Sequence, residues 1–286
     1  MKLATYYQLT KPGIIRGNLL TAAAGFFVAS QHHPRYPLLF WTLLGISGII
    51  ASACVINNYI DRDIDKMMTR TKKRALVIGL VPARDALIFA GLIGTLGFTI
   101  LILTTNLLTT LIGVGGMIAY VALYGYYKRR SVHGTLVGTI SGAVPPVAGY
   151  TAVTNQIDGV AILLFTILVF WQMAHFYAIA LYRMKDYAAA NIPVMPVVHG
   201  VKSTQRQISL YIVGFTGASC LLARYEAGAV YMFIMLITGA AWLVIGLKTL
   251  LSKKAEAWAR SMFLYSLLVI SIWSVAVSID AFLHIQ

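Results

Sequence analysis

Nine consecutive residues carry the strongest chemical signal in the chain: Asn57-Asn58-Tyr59-Ile60-Asp61-Arg62-Asp63-Ile64-Asp65. They hold three of its nine acidic residues and follow a long apolar run, Tyr36 to Ile56. On a helix, Asn57, Asp61 and Asp65 recur every fourth residue and share one face within about 12 Å of rise, while Asp63 points away. Oxygen ligands stacked on one face suit a Mg²⁺ ion that also holds a substrate phosphate. Arg70, Lys72, Lys73 and Arg74 follow closely and would neutralise the rest of a diphosphate. Mixed charges are also ordinary at a membrane–water boundary and need no function there. The preceding Asn, the position at the end of an apolar run and the basic stretch favour the metal reading.

Three further segments carry groups that do chemistry. Tyr124-Gly-Tyr-Tyr-Lys128-Arg129-Arg130 reads as an inside loop. It is either a topology signal with aromatic anchors or a place where Lys128 and Arg129 meet a diphosphate. Tyr182-Arg183-Met184-Lys185-Asp186 continues to Asn191-Ile192-Pro193 and supplies one acidic residue. Asp186 with Asn191 would form half of a second cluster facing the first across a diphosphate. His175 lies in an apolar run about two turns before its end, within Trp171-Gln172-Met173-Ala174-His175. An ionisable residue inside a membrane marks a functional site by default. Trp171 and Tyr182 share its helical face, which suits a planar aromatic acceptor, and axial ligation of haem iron is a role such a histidine takes. A hydrogen bond to a neighbouring helix is the alternative. His32, His33, His133, His199 and His284 fall in loops or at the terminus, where solvated roles are expected.

The elements that position these groups follow from composition. Charged residues make up 11% of 286 and apolar residues 59%, with mean hydropathy +0.77. Soluble domains carry about 25% charged residues, so the chain is expected to be an all-α, polytopic membrane protein, a single transmembrane domain over residues 1–286. No signal-peptide pattern opens it, and the first apolar run is read as a retained span. The net charge of +14 points to topology, membrane lipids and an anionic substrate rather than to nucleic acid. Cys54 and Cys220 sit in apolar runs as buried thiols without metal-ligand spacing.

Nine runs predict spans at about Ile14–Ser30, Tyr36–Ile56, Ala86–Thr104, Leu107–Tyr124, Gly134–Thr151, Gly159–Leu181, Ile208–Ala223, Ala227–Leu247 and Met262–Leu283, the seventh being the shortest. With a cytoplasmic N-terminus, 21 of the 23 Lys and Arg residues fall inside, and only Arg35 and Arg224 fall outside. The C-terminus is then on the outer side of the cell membrane, and the chemistry opens to the cytoplasm, where the long connections lie. Gly134, Gly138 and Gly142 recur every four residues as a packing stripe, and Pro145-Pro146 should kink the fifth span.

Taken together these motifs resemble the UbiA superfamily of intramembrane prenyltransferases. The resemblance rests on Asn57-x₃-Asp61-x₃-Asp65 at a membrane edge, Tyr124-x₃-Lys128 and nine spans. It is closest to the branch that prenylates haem, through Thr10-Lys11-Pro12-Gly13-Ile14 with Asn18, Arg70-Thr71, Ser131-x-x-Gly134-Thr135, Gly142-Ala143-x-Pro145-Pro146, Trp171-Gln172-x-x-His175 and Asp186-Tyr187-x-x-Ala190-Asn191-Ile192-Pro193. It covers residues 8 to 207. It implies a transferase that moves farnesyl from farnesyl diphosphate to a vinyl group of haem b, giving haem O for a terminal oxidase, with a haem A synthase as a further partner. It implies Mg²⁺ between Asn57, Asp61, Asp65 and Asp186. The residues expected to bind substrate are Arg70, Lys73, Arg74, Tyr124, Lys128, Arg129, Lys185 and Asn191 on the diphosphate side, and Trp171, Gln172, His175 and Tyr182 on the acceptor side. Two positions depart from the pattern: Ala174 replaces a usual Pro, and Ala190 replaces the second Asp of the later cluster. Transfer to a quinone precursor or chlorophyllide is the nearest rival. Transport of an anion is the rival from another class, but the outer halves of the spans offer it no polar path.

Overall fold

A computed structural model describes residues 2–31, 33–225, 227–248 and 255–283. His32, Lys253, Lys254 and His284 lie outside these residues. Every regular element within them is helical. A short α1 (Lys2–Leu9) precedes α2 (Pro12–Ser30), α3 (Tyr36–Ile60), the single turn α4 (Arg62–Asp65), α5 (Ala83–Thr104) and α6 (Leu107–Ile118). After a π-helical stretch (Ala119–Tyr124) come α7 (Gly125–Tyr127), α8 (Gly134–Gly142), α9 (Val144–Thr154), α10 (Gly159–Tyr182), α11 (Met184–Ala189), α12 (Met195–Leu222), α13 (Ala229–Lys248) and α14 (Ala255–Leu283).

Local chemistry sets the boundaries. α2 starts with Pro12, which lacks the donor that the first turn cannot use. Before it, Lys11 adopts a left-handed conformation, φ 54°. α8 and α9 part at Ala143 because Pro145 and Pro146 sit in the first turn of the next helix, so the predicted kink is a true break. Asp158 caps α10 by accepting from the Val160 and Ala161 amides, both at 3.0 Å, and receives the Tyr150 hydroxyl at 2.7 Å.

The helices close a ring: α2 packs on α3 and α9, α3 on α5, α6 on α9, α8 on α10, α10 on α12 and α14, and α14 returns to α2. α2 and α9 approach backbone to backbone. A Cβ at Gly25 would run into Pro146, and one at Gly149 into Ala22. The main core gathers α10, α12, α13 and α14 around Leu164, Ile167, Phe215, Trp242 and Trp273.

Among the described residues eight helices are long and apolar enough to cross a membrane. The expected seventh span, Ile208–Ala223, falls in the second part of α12. That helix breaks at Gly200 (φ 79°) and carries Lys202 and Arg206 before its apolar stretch, so it is not among the eight. Two local expectations are corrected. Tyr124 and its neighbours are not loop: helix runs through them to Tyr127. The last span starts earlier than Met262, because Ala255 to Arg260 continue α14.

Candidate active site

α3 carries Asn57 and Asn58 on its last turn, and the chain keeps its helical course through Asp61 into α4. The amide of Asp61 donates to Asn57 O and that of Asp65 to Asp61 O, each at 2.9 Å. The one-face arrangement expected from the spacing is therefore present. Asn57, Asp61 and Asp65 are buried, whereas the Asp63 side chain is 64% exposed.

Four cations close on these groups from other elements. Lys128, just past α7, places Nζ 2.6 Å from Asp61 Oδ2. Arg74 reaches Asp65 Oδ2 at 2.5 Å. Arg129 grips Asp63 with both guanidinium nitrogens, at 2.7 and 2.9 Å, donates to Ile60 O, and stands 3.7 Å from Asp61 Oδ1. Lys11 donates to Asn57 Oδ1 at 2.7 Å, and Asn57 Nδ2 donates to Asp61 Oδ2 at 3.1 Å. The Tyr120 hydroxyl also reaches Asn57 Oδ1, at 3.3 Å, and its ring stacks on Tyr124, over which Lys128 Nζ lies at 5.7 Å. The π-helical stretch presents both tyrosines to this cluster; such insertions occur frequently at functional sites.

The electrostatics follow from burial. Burial pulls the Lys11 ammonium down to about 8, with Arg74 and Lys128 acting in the same direction and Cys54 and Asp61 opposing. The Arg129 hydrogen bond holds Asp63 down at about 2. Two buried carboxylates beneath this many cations make a poor stabilising device, because desolvation offsets most of the attraction. They make a good anion site whose cations already point inward. An open cleft of about 520 Å³ adjoins it, lined by Lys11, Asn58, Lys73 and Arg74 among others.

Among the described residues no three His, Cys, Asp or Glu side chains gather as a metal site. The donor set at the cluster is two carboxylates and the Asn57 amide. It suits a hard cation: Asp61 Oδ1 is buried and accepts no hydrogen bond.

Of the other expected residues, Asp186 is drawn toward the same loop. Its Oδ1 accepts from the Thr69 amide at 3.2 Å, joining the α3–α5 and α10–α12 connections. Arg70 lies within electrostatic reach of Tyr124 and Tyr187. Lys72, Lys73 and Lys185 are exposed. Asn191 is also exposed and takes a left-handed turn, φ 51°, between α11 and α12. Tyr182 pairs with the Arg183 guanidinium at 4.3 Å.

Within the bundle, His175 is buried in an aromatic nest. Trp171 stacks on it at 4.8 Å and 19°, and Phe176 and Phe263 lie at 5.4 and 5.2 Å. Its Nδ1 is 2.6 Å from Ser266 Oγ, so the bond to a neighbouring helix exists. No second hydrogen bond reaches the ring among the described residues. Gln172, one turn away, is buried against Gly142, where any side chain would strike its amide. Gly138 likewise leaves room for the Tyr124 ring, so the expected packing stripe serves two site residues.

Three contributors escaped sequence reasoning. Lys11 enters the sequence reading through the motif Thr10-Lys11-Pro12-Gly13-Ile14 and the count of inside cations, with no role at the carboxylate cluster. Tyr120 carries no local signal. Ser266 is one of two fully buried hydroxyls of α14, with Ser274, among the buried residues Trp258, Met262, Val269, Trp273 and Val277.

A profile described as the UbiA prenyltransferase family matches residues 18–268. The chain is similar to proteins named protoheme IX farnesyltransferase. It is 46% identical to that of Protochlamydia amoebophila over 96% of this chain and 98% of the relative. It is 48% identical to that of Klebsiella pneumoniae over 96% and 94%. Two solved structures share the fold: one described as digeranylgeranylglyceryl phosphate synthase (TM-score 0.80, 17% identity, 98% and 99% covered) and a UbiA homolog from Archaeoglobus fulgidus bound to GPP and Mg²⁺ (0.73, 16%, 96% and 99%).

Proposed function

The chain belongs to the UbiA prenyltransferase family, and on that premise we propose that it is a protohaem IX farnesyltransferase. It transfers farnesyl from farnesyl diphosphate to a vinyl group of haem b and releases diphosphate. The observation that carries the reading is the near-full-length identity to chains bearing that name. The site agrees with it, since a cation-lined carboxylate cluster and an intramembrane imidazole stand in one bundle.

In this reading Lys11, Lys128, Arg129, Arg70, Lys73 and Arg74 bind the diphosphate, with Tyr124, Lys185 and Asn191 around them, while Tyr182 lies on the acceptor side. Asn57, Asp61, Asp65 and Asp186 would hold Mg²⁺, which would supply charge neutralisation for the leaving group. The allylic C–O bond breaks and the bundle keeps bulk water from the carbocation. The haem vinyl carbon bonds to the farnesyl C1. Water adds to the cation left beside the pyrrole and loses a proton, giving a hydroxyethylfarnesyl group. The ring faces of Trp171 and Tyr124 stabilise positive charge. Gln172, Trp171 and His175 seat the porphyrin, His175 through the iron.

The reading includes a single domain with nine spans, counting the apolar part of α12. It also includes a cytoplasmic N-terminus, an active site open to the cytoplasm from the cell inner membrane, and delivery of haem O to a haem A synthase or terminal oxidase. The test is mass spectrometry of haem extracted from expressing cells. Hydroxyethylfarnesyl haem is expected; unmodified haem b beside a prenylated phenol or chlorophyllide would transfer the assignment to the rival acceptor.

A further inference from the structure

We propose that Ser266 is a positioning residue that holds His175 in its Nδ1–H tautomer and turns the unprotonated Nε2 toward the haem iron. This rests on the haem-acceptor reading above and adds α14 to the acceptor site.

A count of protons fixes the tautomer. Ser266 Oγ lies 2.6 Å from Phe263 O and 2.6 Å from His175 Nδ1. A carbonyl oxygen only accepts, and the hydroxyl has one proton to give. Once that proton points at Phe263 O, the Oγ lone pairs face Nδ1, which must carry the ring proton. In the other tautomer both neighbours would need the same proton, and one short contact would set acceptor against acceptor. The groups that face the ring are Trp171 and Phe176 from its own helix and Phe263 and Ser266 from α14. With no carboxylate among them to balance a positive charge, the ring stays neutral and carries one proton. Nε2 keeps its lone pair, and no hydrogen bond occupies it among the described residues. Histidines that ligate metals donate the opposite N–H to a neighbour in just this manner.

Orientation is fixed by the same residue twice. The Ser266 carbonyl accepts the Trp171 indole N–H at 2.8 Å, and Trp171 stacks on the imidazole. Side chain and backbone of Ser266 therefore clamp the His175 ring from its edge and through its stacking partner. Ser266 is fully buried, and its hydroxyl, unlike a methyl group, reaches His175 Nδ1.

The test uses the full-length protein in detergent, titrated with haem b, for wild type, Ser266→Ala and His175→Ala. Ser266→Ala should bind haem about 10-fold more weakly, with a displaced Soret band and a weakened iron–histidine stretch in the resonance Raman spectrum. Farnesyl diphosphate affinity should stay unchanged. A residue that merely packs would move the unfolding temperature and neither spectrum. Wild-type affinity and spectra in Ser266→Ala, beside a changed His175→Ala spectrum, overturn the role of Ser266 alone. An unchanged His175→Ala spectrum overturns the iron contact and the proposal with it, while farnesyl transfer is judged separately by mass spectrometry. Should Ser266→Ala not fold, ¹⁵N chemical shifts of histidine-labelled wild type read the tautomer directly. An Nδ1–H signal assigned to His175 by its loss in His175→Ala supports the proposal, and an Nε2–H signal overturns it.

Discussion

The Lys128 ammonium and the Asp61 carboxylate meet at 2.6 Å although 67 positions separate them in the chain, and Asp61 is buried to 1% exposure. Replacing such a buried pair by well-packed apolar residues is often neutral or stabilising, whereas removing one partner strands the other at about 3–5 kcal/mol, so the pair is not kept for stability alone. Because Asp61 Oδ1 accepts no hydrogen bond and meets only the Arg129 guanidinium at 3.7 Å, the carboxylate has a coordination position in reserve. Asp61→Asn and Asp65→Asn, which keep shape and remove charge, should each reduce farnesyl transfer at least 100-fold while the protein still inserts. Turnover assayed across a Mg²⁺ titration checks this. Activity within a few fold of wild type at saturating Mg²⁺ would remove these carboxylates from the mechanism.

Asp63 provides the contrast. It is exposed and tied to Arg129 rather than turned into the cluster. Asp63→Ala should leave turnover within about 3-fold and cost under about 1 kcal/mol of stability, as exposed pairs do. Its carboxyl is held down at about 2 against an ordinary 3.8. The contribution is thus complete above the ordinary value and lost as pH falls through 2. Acid unfolding of wild type and variant should converge only at that low end. Equal damage from Asp63→Ala and Asp61→Asn in the turnover assay would sink the one-face argument.

Lys11 gives the site a pH dependence. Its ammonium is pulled from 10.5 to about 8, so the folded protein releases this proton before the unfolded chain does. Between these values the unfolded state binds more protons, and this group's effect is to raise stability with pH. Diphosphate binding moves oppositely, since the cation disappears above about 8. KM for farnesyl diphosphate should rise between pH 7.5 and 9.5 in wild type and stay nearly flat in Lys11→Arg, whose charge persists. Identical profiles for the two proteins would exclude Lys11 from the diphosphate site.

Membrane orientation is tested by reporter fusions. An N-terminus in the cytoplasm and a C-terminus outside are expected from the placement of 21 of 23 cationic residues. Both termini on one side would mean that α12 does not cross.

What the sequence made legible was local. Asn57, Asp61 and Asp65 lie within one helical course, so their spacing alone predicts a shared face, and long apolar runs announce membrane helices through hydropathy. The break at Pro145-Pro146 follows from missing donors. What stayed hidden depends on pairing between distant segments. Nothing near Lys11 says that it will meet Asn57, 46 positions on. Nothing near Ser266 names His175, and the last three spans read only as hydrophobic. The α12 span was hard to place for a physical reason, since Lys202 and Arg206 extend a membrane helix into a polar segment that dilutes its apolar signal.

Gly142 offers a way to disturb the acceptor side without touching a polar group. A Cβ there would run into the Gln172 amide, which lies one turn from His175 on α10. Because the obstacle is the far end of a flexible side chain, Gly142→Ala should fold, with Gln172 swung aside at about 1–3 kcal/mol of overpacking. The cation cluster on α3, α4 and the Lys128 segment is left alone. Haem affinity should therefore fall several-fold while farnesyl diphosphate affinity stays constant, and Gln172→Ala should reproduce the haem defect without the clash at position 142. Separate titrations of the two substrates decide the matter. Equal weakening of both would mean that Gly142 supports the bundle as a whole, and unchanged haem binding in both variants would take Gln172 out of the acceptor site.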